Sequence, residues 1–377
     1  MAVKAAMRVL GFMTGTSLDA VDMAVLETDG ETIVGFGPAG ERKLDPAARS
    51  VIEAATRAAL AWPRDAPRPE IFHEAEQVIA DQHLIAAREF MAREGLAASD
   101  LDLVGVHGQT VLHEPPNAAR ARGRTIQLFD ARRLADGLGL QVAFDFRTAD
   151  VAAGGQGAPL APVYHRALAR WSGLALPAAV LNLGGVGNVT LVTSDGELQA
   201  YDTGPANGMI DLFVQARTGA RCDLDGALAA AGQANEDVLG AYLAHDYFTV
   251  RGPKSLDRYD FSLDPVADLS LEDGAATLTA FAAEAVALGL SGLSQTPREL
   301  ILTGGGRLNP VLRAAIAQLV DCPVRSAEDL GWRGDSIEAE AFAYLAARTA
   351  RALPISYPGT TGVPIPMPGG AIVQPRR

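Results

Sequence analysis

The sequence predicts an α/β protein of two similar lobes, each a mixed sheet flanked by helices. Three observations predict it. The chain has 377 residues, more than one hydrophobic core comfortably serves, and 48% of them are hydrophobic. Strand and helix patterns alternate along its length. One motif occurs twice: Arg8–Gly37 reads RVLGFMTGTSLDAVDMAVLETDGETIVGFG, and Ala178–Gly204 reads AAVLNLGGVGNVTLVTSDGELQAYDTG. Each copy is an apolar strand, a glycine turn with Thr or Asn, a second strand, an Asp-Gly turn and a third strand. Asp29-Gly30 and Asp195-Gly196 stand where a tight hairpin needs positive φ. The duplication divides the chain into an N-terminal lobe, 1–172, and a C-terminal lobe, 173–377. Each lobe is expected to offer backbone N–H groups to a shared cleft, and phosphate is the natural guest of such turns.

The remaining elements follow in order. Pro69–Glu94 has helical spacing of apolar residues and Gly95 as its stop. Leu101–Val106 is a buried strand ending in His107-Gly108-Gln109-Thr110, and Leu140–Phe144 is another, ending at Asp145. Gly154-Gly155-Gln156-Gly157 is a loop, and a helix follows around Pro162–Arg170 before Pro177 marks the join. Met209–Thr218 is a helix closed by Gly219, and Thr277–Leu293 is a second helix. Leu300–Thr303 is a short strand, followed by Gly304-Gly305-Gly306 and a helix capped by Asn309 with Pro310 at its first position. Asp335 and Glu338 resemble a capping box that opens a helix to about Arg351. The last 24 residues hold six prolines and read as a tail without regular structure.

Charge and composition exclude several functions. The net charge is −13, from 32 basic and 45 acidic residues, which argues against nucleic acid or an anionic membrane as partner. A nucleotide held by loops and a metal ion stays compatible with it. Cys222 and Cys322 are too few for a disulfide framework or a zinc site, so a reducing cytoplasm is expected. No signal-like segment opens the chain and no membrane span is expected. The Ala-rich run Ala275–Leu293 is broken by Glu284. A homodimer is left open.

Four glycine-bearing motifs carry the chemistry. Gly15-Thr16-Ser17-Leu18-Asp19-Ala20-Val21-Asp22 lets backbone approach phosphate, offers two hydroxyls, and places Asp19 and Asp22 where they could hold Mg²⁺. An ordinary Gly-Ser-Asp hairpin would look the same. It is not a Walker A loop, since no Lys follows and the next element is a strand. Gly184, Gly185 and Asn188 form the matching turn, three glycines in five residues being poor strand chemistry unless something must come close. Asp202, in YDTGPAN, ends a strand and can serve as general base or merely cap the following turn. Gly304, Gly305, Gly306 and Asn309 suit a base and ribose lying flat against backbone; dinucleotide-binding spacing is absent. His107, Gln109 and Thr110 read as substrate or loop contacts rather than metal ligands. Arg147, with Asp150 beside it, could clamp a carboxylate or form a structural ion pair. Glu338 is otherwise only the capping-box acid.

Taken in order, GFMTGTSLDAVD, HGQTV, FDFRTAD with GGQGAPL, NLGGVGNVT, DTGPAN and EAEAFAYLA resemble the anhydro-N-acetylmuramic acid kinase family, from about Met7 to Gly369. That family belongs to the sugar kinase, actin and Hsp70 ATPase superfold, whose lobes are RNase H-like. The resemblance implies an ATP- and Mg²⁺-dependent kinase that opens 1,6-anhydro-N-acetylmuramic acid with water and phosphorylates O6, in peptidoglycan recycling. It makes Asp202 the base, Gly15–Asp22 the ATP segment and Glu338 a sugar contact; with that substrate, the clamp at Arg147 is expected to take the lactyl carboxylate. Thr14, Ala20 and Ala206 stand where the family usually has Ser, Gly and Gly, so Ala206 must tolerate negative φ. Another sugar or acetate-type kinase would share the phosphate turns without HGQTV or GGQGAPL. An ATP-driven conformational binder would share the lobes and hydrolyse ATP without a sugar.

Overall fold

The computed structural model describes residues 5–15, 18–116, 120, 122–250, 252–256 and 260–376. The chain divides into two compact units, Met1–Trp171 with Ser336–Arg377, and Ser172–Asp335. This corrects the boundary expected from the duplication: 336–377 belongs to the first unit, not the second.

The first unit begins with β1 (Met7–Met13), β2 (Ala20–Thr28) and β3 (Ile33–Lys43), a meander whose Asp29-Gly30 turn has Gly30 at φ 82°. Then come α1 (Pro46–Leu60), α2 (Ile71–Arg93), β4 (Leu103–Val106), the hairpin β5 (Gln109–Glu114) and β6 (Arg124–Leu128), α3 (Ala131–Leu138), β7 (Val142–Phe144), α4 (Thr148–Ala152) and α5 (Pro162–Trp171). β1 pairs antiparallel with β2, and β2 with β3; β1 pairs parallel with β4, and β4 with β7.

The second unit repeats the plan. It contains β8 (Ala178–Leu183), β9 (Val186–Val192), β10 (Leu198–Pro205), α6 (Asn207–Thr218), α7 (Ala227–Ala231), α8 (Glu236–Leu243), α9 (Leu271–Ser291), β11 (Leu300–Thr303), α10 (Pro310–Leu319) and β12 (Val324–Ser326). Its sheet order β10-β9-β8-β11-β12 matches β3-β2-β1-β4-β7 of the first unit strand for strand, with the same parallel and antiparallel neighbours. The fold is α/β with mixed sheets in two lobes, and the repeated order is the RNase H-like plan that the resemblance implies. α9 is long and apolar enough to cross a membrane by composition, yet 67% of its apolar window is buried inside the unit, as a core helix is. Its Ala and Val residues pack under β9 and β10, and Phe281 stacks with Tyr242.

The chain returns to the first unit as α11 (Ile337–Ala350) and β13 (Ala371–Val373). α11 lies directly on β1, β2 and β4. The close approach needs glycine beneath it: a Cβ on Gly11 would stand 2.0 Å from the Ala339 carbonyl oxygen, and one on Gly105 2.3 Å from that of Phe342. The alanine-rich face of α11 answers these two glycines. Its start differs from expectation. Ser336 is the N-cap, without a side-chain cap hydrogen bond, and Asp335 instead accepts from Arg307. The proline-rich tail is also more ordered than expected: β13 pairs antiparallel with β7, and Ile355, Thr361 and Val363 are buried.

Candidate active site

The β1–β2 turn of the first unit is strained where described. Leu18, a buried non-glycine residue, takes φ 55° and donates its N–H to the Gly15 carbonyl at 3.2 Å. Left-handed backbone at such a residue costs on the order of 1–3 kcal/mol and gathers at functional turns. Thr16 and Ser17 lie outside the described residues. Ala20 and Val21 open β2, Val21 fully buried, and Asp22 pairs with Met13 of β1. Asp19 has a half-exposed side chain 3.8 Å from Arg49. Among the described residues no three of His, Cys, Asp and Glu converge in a metal cage. Thr14, just before the turn, bonds through its hydroxyl to Nε2 of the buried His83 at 3.3 Å. Burial holds His83 down to about 4, so the ring is neutral.

A second group in the same unit surrounds Arg147. It precedes α4, and its Nε–H donates to His107 Nε2 at 3.0 Å and its Nη1 to the Gly157 carbonyl at 2.7 Å. Arginine only donates, so His107 carries its proton on Nδ1. Burial, reinforced by the arginine charge, holds His107 well below its usual range, and the ring is neutral. Burial also pulls Arg147 down to about 10, opposed by Glu338 and Asp150. Asp150, 1% exposed, accepts from Gly157 N at 2.6 Å and from the Thr361 hydroxyl at 2.5 Å. Both its oxygens are used within the protein, and they fix the Gly154–Gly157 loop. Thr110 Oγ1 accepts from Gln127 Nε2 at 3.2 Å. His107 Nδ1, Gln109 Oε1 and Gln127 Oε1 are buried with no hydrogen-bond partner. Unspent buried donors and acceptors require an explanation. Here they offer one donor and two acceptors, which suits a polyhydroxylated ligand. Glu338 stands exposed on the first turn of α11.

In the second unit a polar row crosses the sheet. Register places Asp202, Asn188, Asn182 and Thr303 side by side on β10, β9, β8 and β11. Directly opposed residues share a face. Asp202 does not end its strand, as the sequence suggested. It sits within β10 at a register shift before Gly204, a bulge of the kind that re-aims side chains. Its Oδ2 accepts from Leu256 N at 2.8 Å, and its own N–H donates to the Lys254 carbonyl at 3.0 Å. Tyr247 donates its hydroxyl to the Asp202 carbonyl at 2.6 Å. Burial pushes the carboxyl up to about 7, against the Leu256 hydrogen bond and the Lys254 charge. Oδ1 accepts no hydrogen bond from a described residue. A carboxyl half-ionised near neutrality, one oxygen anchored and one open, can take a proton.

The two remaining glycine turns meet at Asn207, the first residue of α6. Its N–H donates to Gly184 O at 3.0 Å, its Nδ2 to Leu183 O at 3.1 Å, and its side chain lies against Gly306. Gly208 and Ala206 donate to Gly185 O, so α6 begins by satisfying that turn's carbonyls. Ala206 has φ −126°, the negative value its side chain needs. Gly304 takes φ 72°, with Asn182 and Leu183 where its Cβ would stand, whereas a Cβ on Gly305 would meet only Asn207 Nδ2, at an ordinary contact distance of 3.9 Å. Arg307, 3% exposed, braces this turn by donating to Gly304 O, Glu328 and Asp335. Asn309 caps α10 as expected, accepting from Val311 N and Leu312 N.

The structure therefore groups His107, Gln109, Thr110, Arg147 and Asp150 in the first unit, and Gly184, Gly185, Asn188, Asp202 and Gly304–Gly306 along one edge of the second unit's sheet. Sequence reasoning missed Gln127, Asn182, Asn207, Tyr247, Lys254 and Arg307. The Asn207 signal was available in DTGPAN and that of Arg307 in GGGRLN; Lys254, in an irregular Gly-Pro stretch, had none.

Residues 7–375 match the family model described as anhydro-N-acetylmuramic acid kinase. The chain is 63% identical over 367 residues to the anhydro-N-acetylmuramic acid kinase of Caulobacter vibrioides, covering 97% of this chain and 99% of that protein. It is 61% identical over 369 residues to that of Phenylobacterium zucineum, covering 98% and 100%. Component A of (R)-2-hydroxyglutaryl-CoA dehydratase from Acidaminococcus fermentans is similar in structure at a TM-score of 0.47 and 13% identity, over 92% and 99% of the two chains. On the family match and the identity to these relatives over nearly the full length, the chain belongs to the anhydro-N-acetylmuramic acid kinase family.

Proposed function

We infer that the chain uses ATP to phosphorylate O6 of 1,6-anhydro-N-acetylmuramic acid while water opens the anhydro bridge, giving N-acetylmuramic acid 6-phosphate for cell-wall recycling in the cytoplasm. The observation that carries this reading is Asp202: a carboxyl raised to about 7 by burial, anchored through Oδ2 and open at Oδ1. Ionised, it takes a proton from water; the water oxygen bonds to the anomeric carbon and the carbon–O6 bond breaks. O6 leaves with that electron pair and bonds to the γ-phosphorus, and ADP departs. Capture of O6 by phosphorus replaces the general acid that glycoside cleavage ordinarily requires, so one carboxylate suffices.

Arg147 is assigned to the lactyl carboxylate, and His107 Nδ1, Gln109 Oε1, Thr110 and Glu338 to sugar hydroxyls. Asp150 holds the loop that carries the Gly157 carbonyl beside Arg147. The turns at Gly15–Asp22, Gly184–Asn188 and Gly304–Asn309 are assigned to the nucleotide. Phosphoryl transfer asks of the protein chiefly positioning and charge neutralisation. Mg²⁺ bound with ATP supplies part of that neutralisation. Asp19 and Asp22 are the carboxylates assigned to it, and one or two carboxylates with phosphate oxygens and water are what this ion ordinarily takes. The test is turnover of ATP and 1,6-anhydro-N-acetylmuramic acid in ¹⁸O-water. A 6-phosphate carrying one ¹⁸O at the anomeric position is expected; ATP consumed without sugar phosphate overturns the assignment.

A further inference from the structure

We propose that Lys254 is the positioning residue that keeps the Asp202 carboxylate in its proton-accepting form, and that Tyr247 is the platform that fixes the lysine. The inference rests on the reading of Asp202 as the base. A buried carboxylate without a compensating cation takes up a proton and ceases to be a base. Three links close a loop around Asp202. The Lys254 carbonyl accepts the Asp202 N–H at 3.0 Å. The Lys254 ammonium donates to the Tyr247 carbonyl at 2.9 Å and lies 4.0 Å from the centre of the Tyr247 ring. The Tyr247 hydroxyl returns to the Asp202 carbonyl at 2.6 Å. A surface lysine sweeps through many rotamers; this one is tied at its backbone, its ammonium and its ring contact. Held in this loop, its charge favours the ionised form of a carboxyl whose Oδ2 already accepts from Leu256 N, two residues further on. The same segment thus supplies the anchor and the cation.

Among the described residues, the other titratable groups around Asp202 do not substitute for it. Tyr201 and Tyr247 are both held neutral by burial, the latter pushed further up by Asp202. Asp260 acts on Tyr247 and has the wrong sign. Asp202 in turn supports the charge on Lys254 against its burial.

The test combines kinetics with melting. In Lys254→Met the acidic limb of kcat against pH should move up by about half to one pH unit, an opposite charge nearby lowering a carboxyl by that much or more. Turnover near pH 7 should fall about threefold, by the resulting loss of ionised Asp202. Lys254→Arg should restore the limb. Ionisation is read separately, without turnover, from the pH at which the difference in melting temperature between the parent and Asp202→Asn stops growing. That plateau should move up by the same amount when both proteins carry Lys254→Met. Lys254→Gln serves in both experiments if the methionine variant does not fold. An unmoved limb and an unmoved plateau, even with slower turnover, would overturn the role given to Lys254. Full activity in Asp202→Asn would instead overturn the reading of the base, while the melting comparison still judges Lys254.

Discussion

Replacing Asp202 with Asn should abolish turnover and at the same time stabilise the protein at neutral pH. Burial raises the carboxyl from 3.8 to about 7. At 1.36 kcal/mol per unit, roughly three units amount to about 4 kcal/mol of destabilisation once the group is ionised. The direction follows from proton binding. The folded state holds the proton more tightly than the unfolded chain, so Asp202 costs nothing below pH 4, where both states are protonated. The cost grows as pH rises through 4 to 7 and is constant above. Asparagine never ionises, and its Oδ1 can still accept from Leu256 N. The variant and the parent should therefore differ least near pH 4.5 and separate steadily to pH 7.5. Each kcal/mol moves the midpoint by roughly 2–4 °C in a unit of this size. Differential scanning calorimetry of both proteins from pH 4.5 to 8.5 reads the difference, all other titrations cancelling. A difference that does not change with pH, or a variant less stable than the parent at pH 8, would refute the reasoning.

Other substitutions have distinct expected signatures. Arg147→Lys keeps the charge but loses the fork that joins His107 to the Gly157 carbonyl; KM for the anhydro-sugar should rise about ten- to a hundredfold, as for lost charged hydrogen bonds, with KM for ATP unchanged in steady-state assays. Gly304→Ala meets φ 72° and the Asn182 side chain and should lower stability by about 1–3 kcal/mol. Gly305→Ala, whose methyl meets Asn207 only at ordinary contact distance, should fold normally yet bind nucleotide more weakly, and calorimetric titration separates the two. Gly11→Ala drives a methyl into the Ala339 carbonyl and should cost about 3 kcal/mol or more, at or beyond the upper end of overpacking, read by urea denaturation.

Much of this was legible in the chain because the local rules agreed with the global fold. The two glycine meanders, the Asn309-Pro310 helix start and the Gly219 stop depend on backbone preferences a few residues long, and each appears where its signal stands. The failures are long-range. Asp335 and Glu338 have the spacing of a capping box, but Arg307, 28 residues upstream, engages Asp335. The tail looked irregular because six prolines hide a three-residue strand that forms only against β7. The sequence pointed to Asp202 and Arg147 through their motifs. It was silent about Lys254 and Tyr247, whose contact with Asp202 spans about fifty residues of irregular chain.

The discontinuity of the first unit has a consequence for biosynthesis. On the ribosome, β1 and β4 emerge early, but the helix that covers Gly11 and Gly105 emerges only after all of Ser172–Asp335. The contiguous second unit can close first, although it is encoded second, since domains fold as units during synthesis. Until then the nascent first sheet carries an apolar face shaped for a helix not yet made, the period in which a chaperone or premature release would matter most. A fragment ending at Asp335 would keep that face permanently open. The first unit alone would need its two segments, ending at Trp171 and beginning at Ser336, brought together without the second.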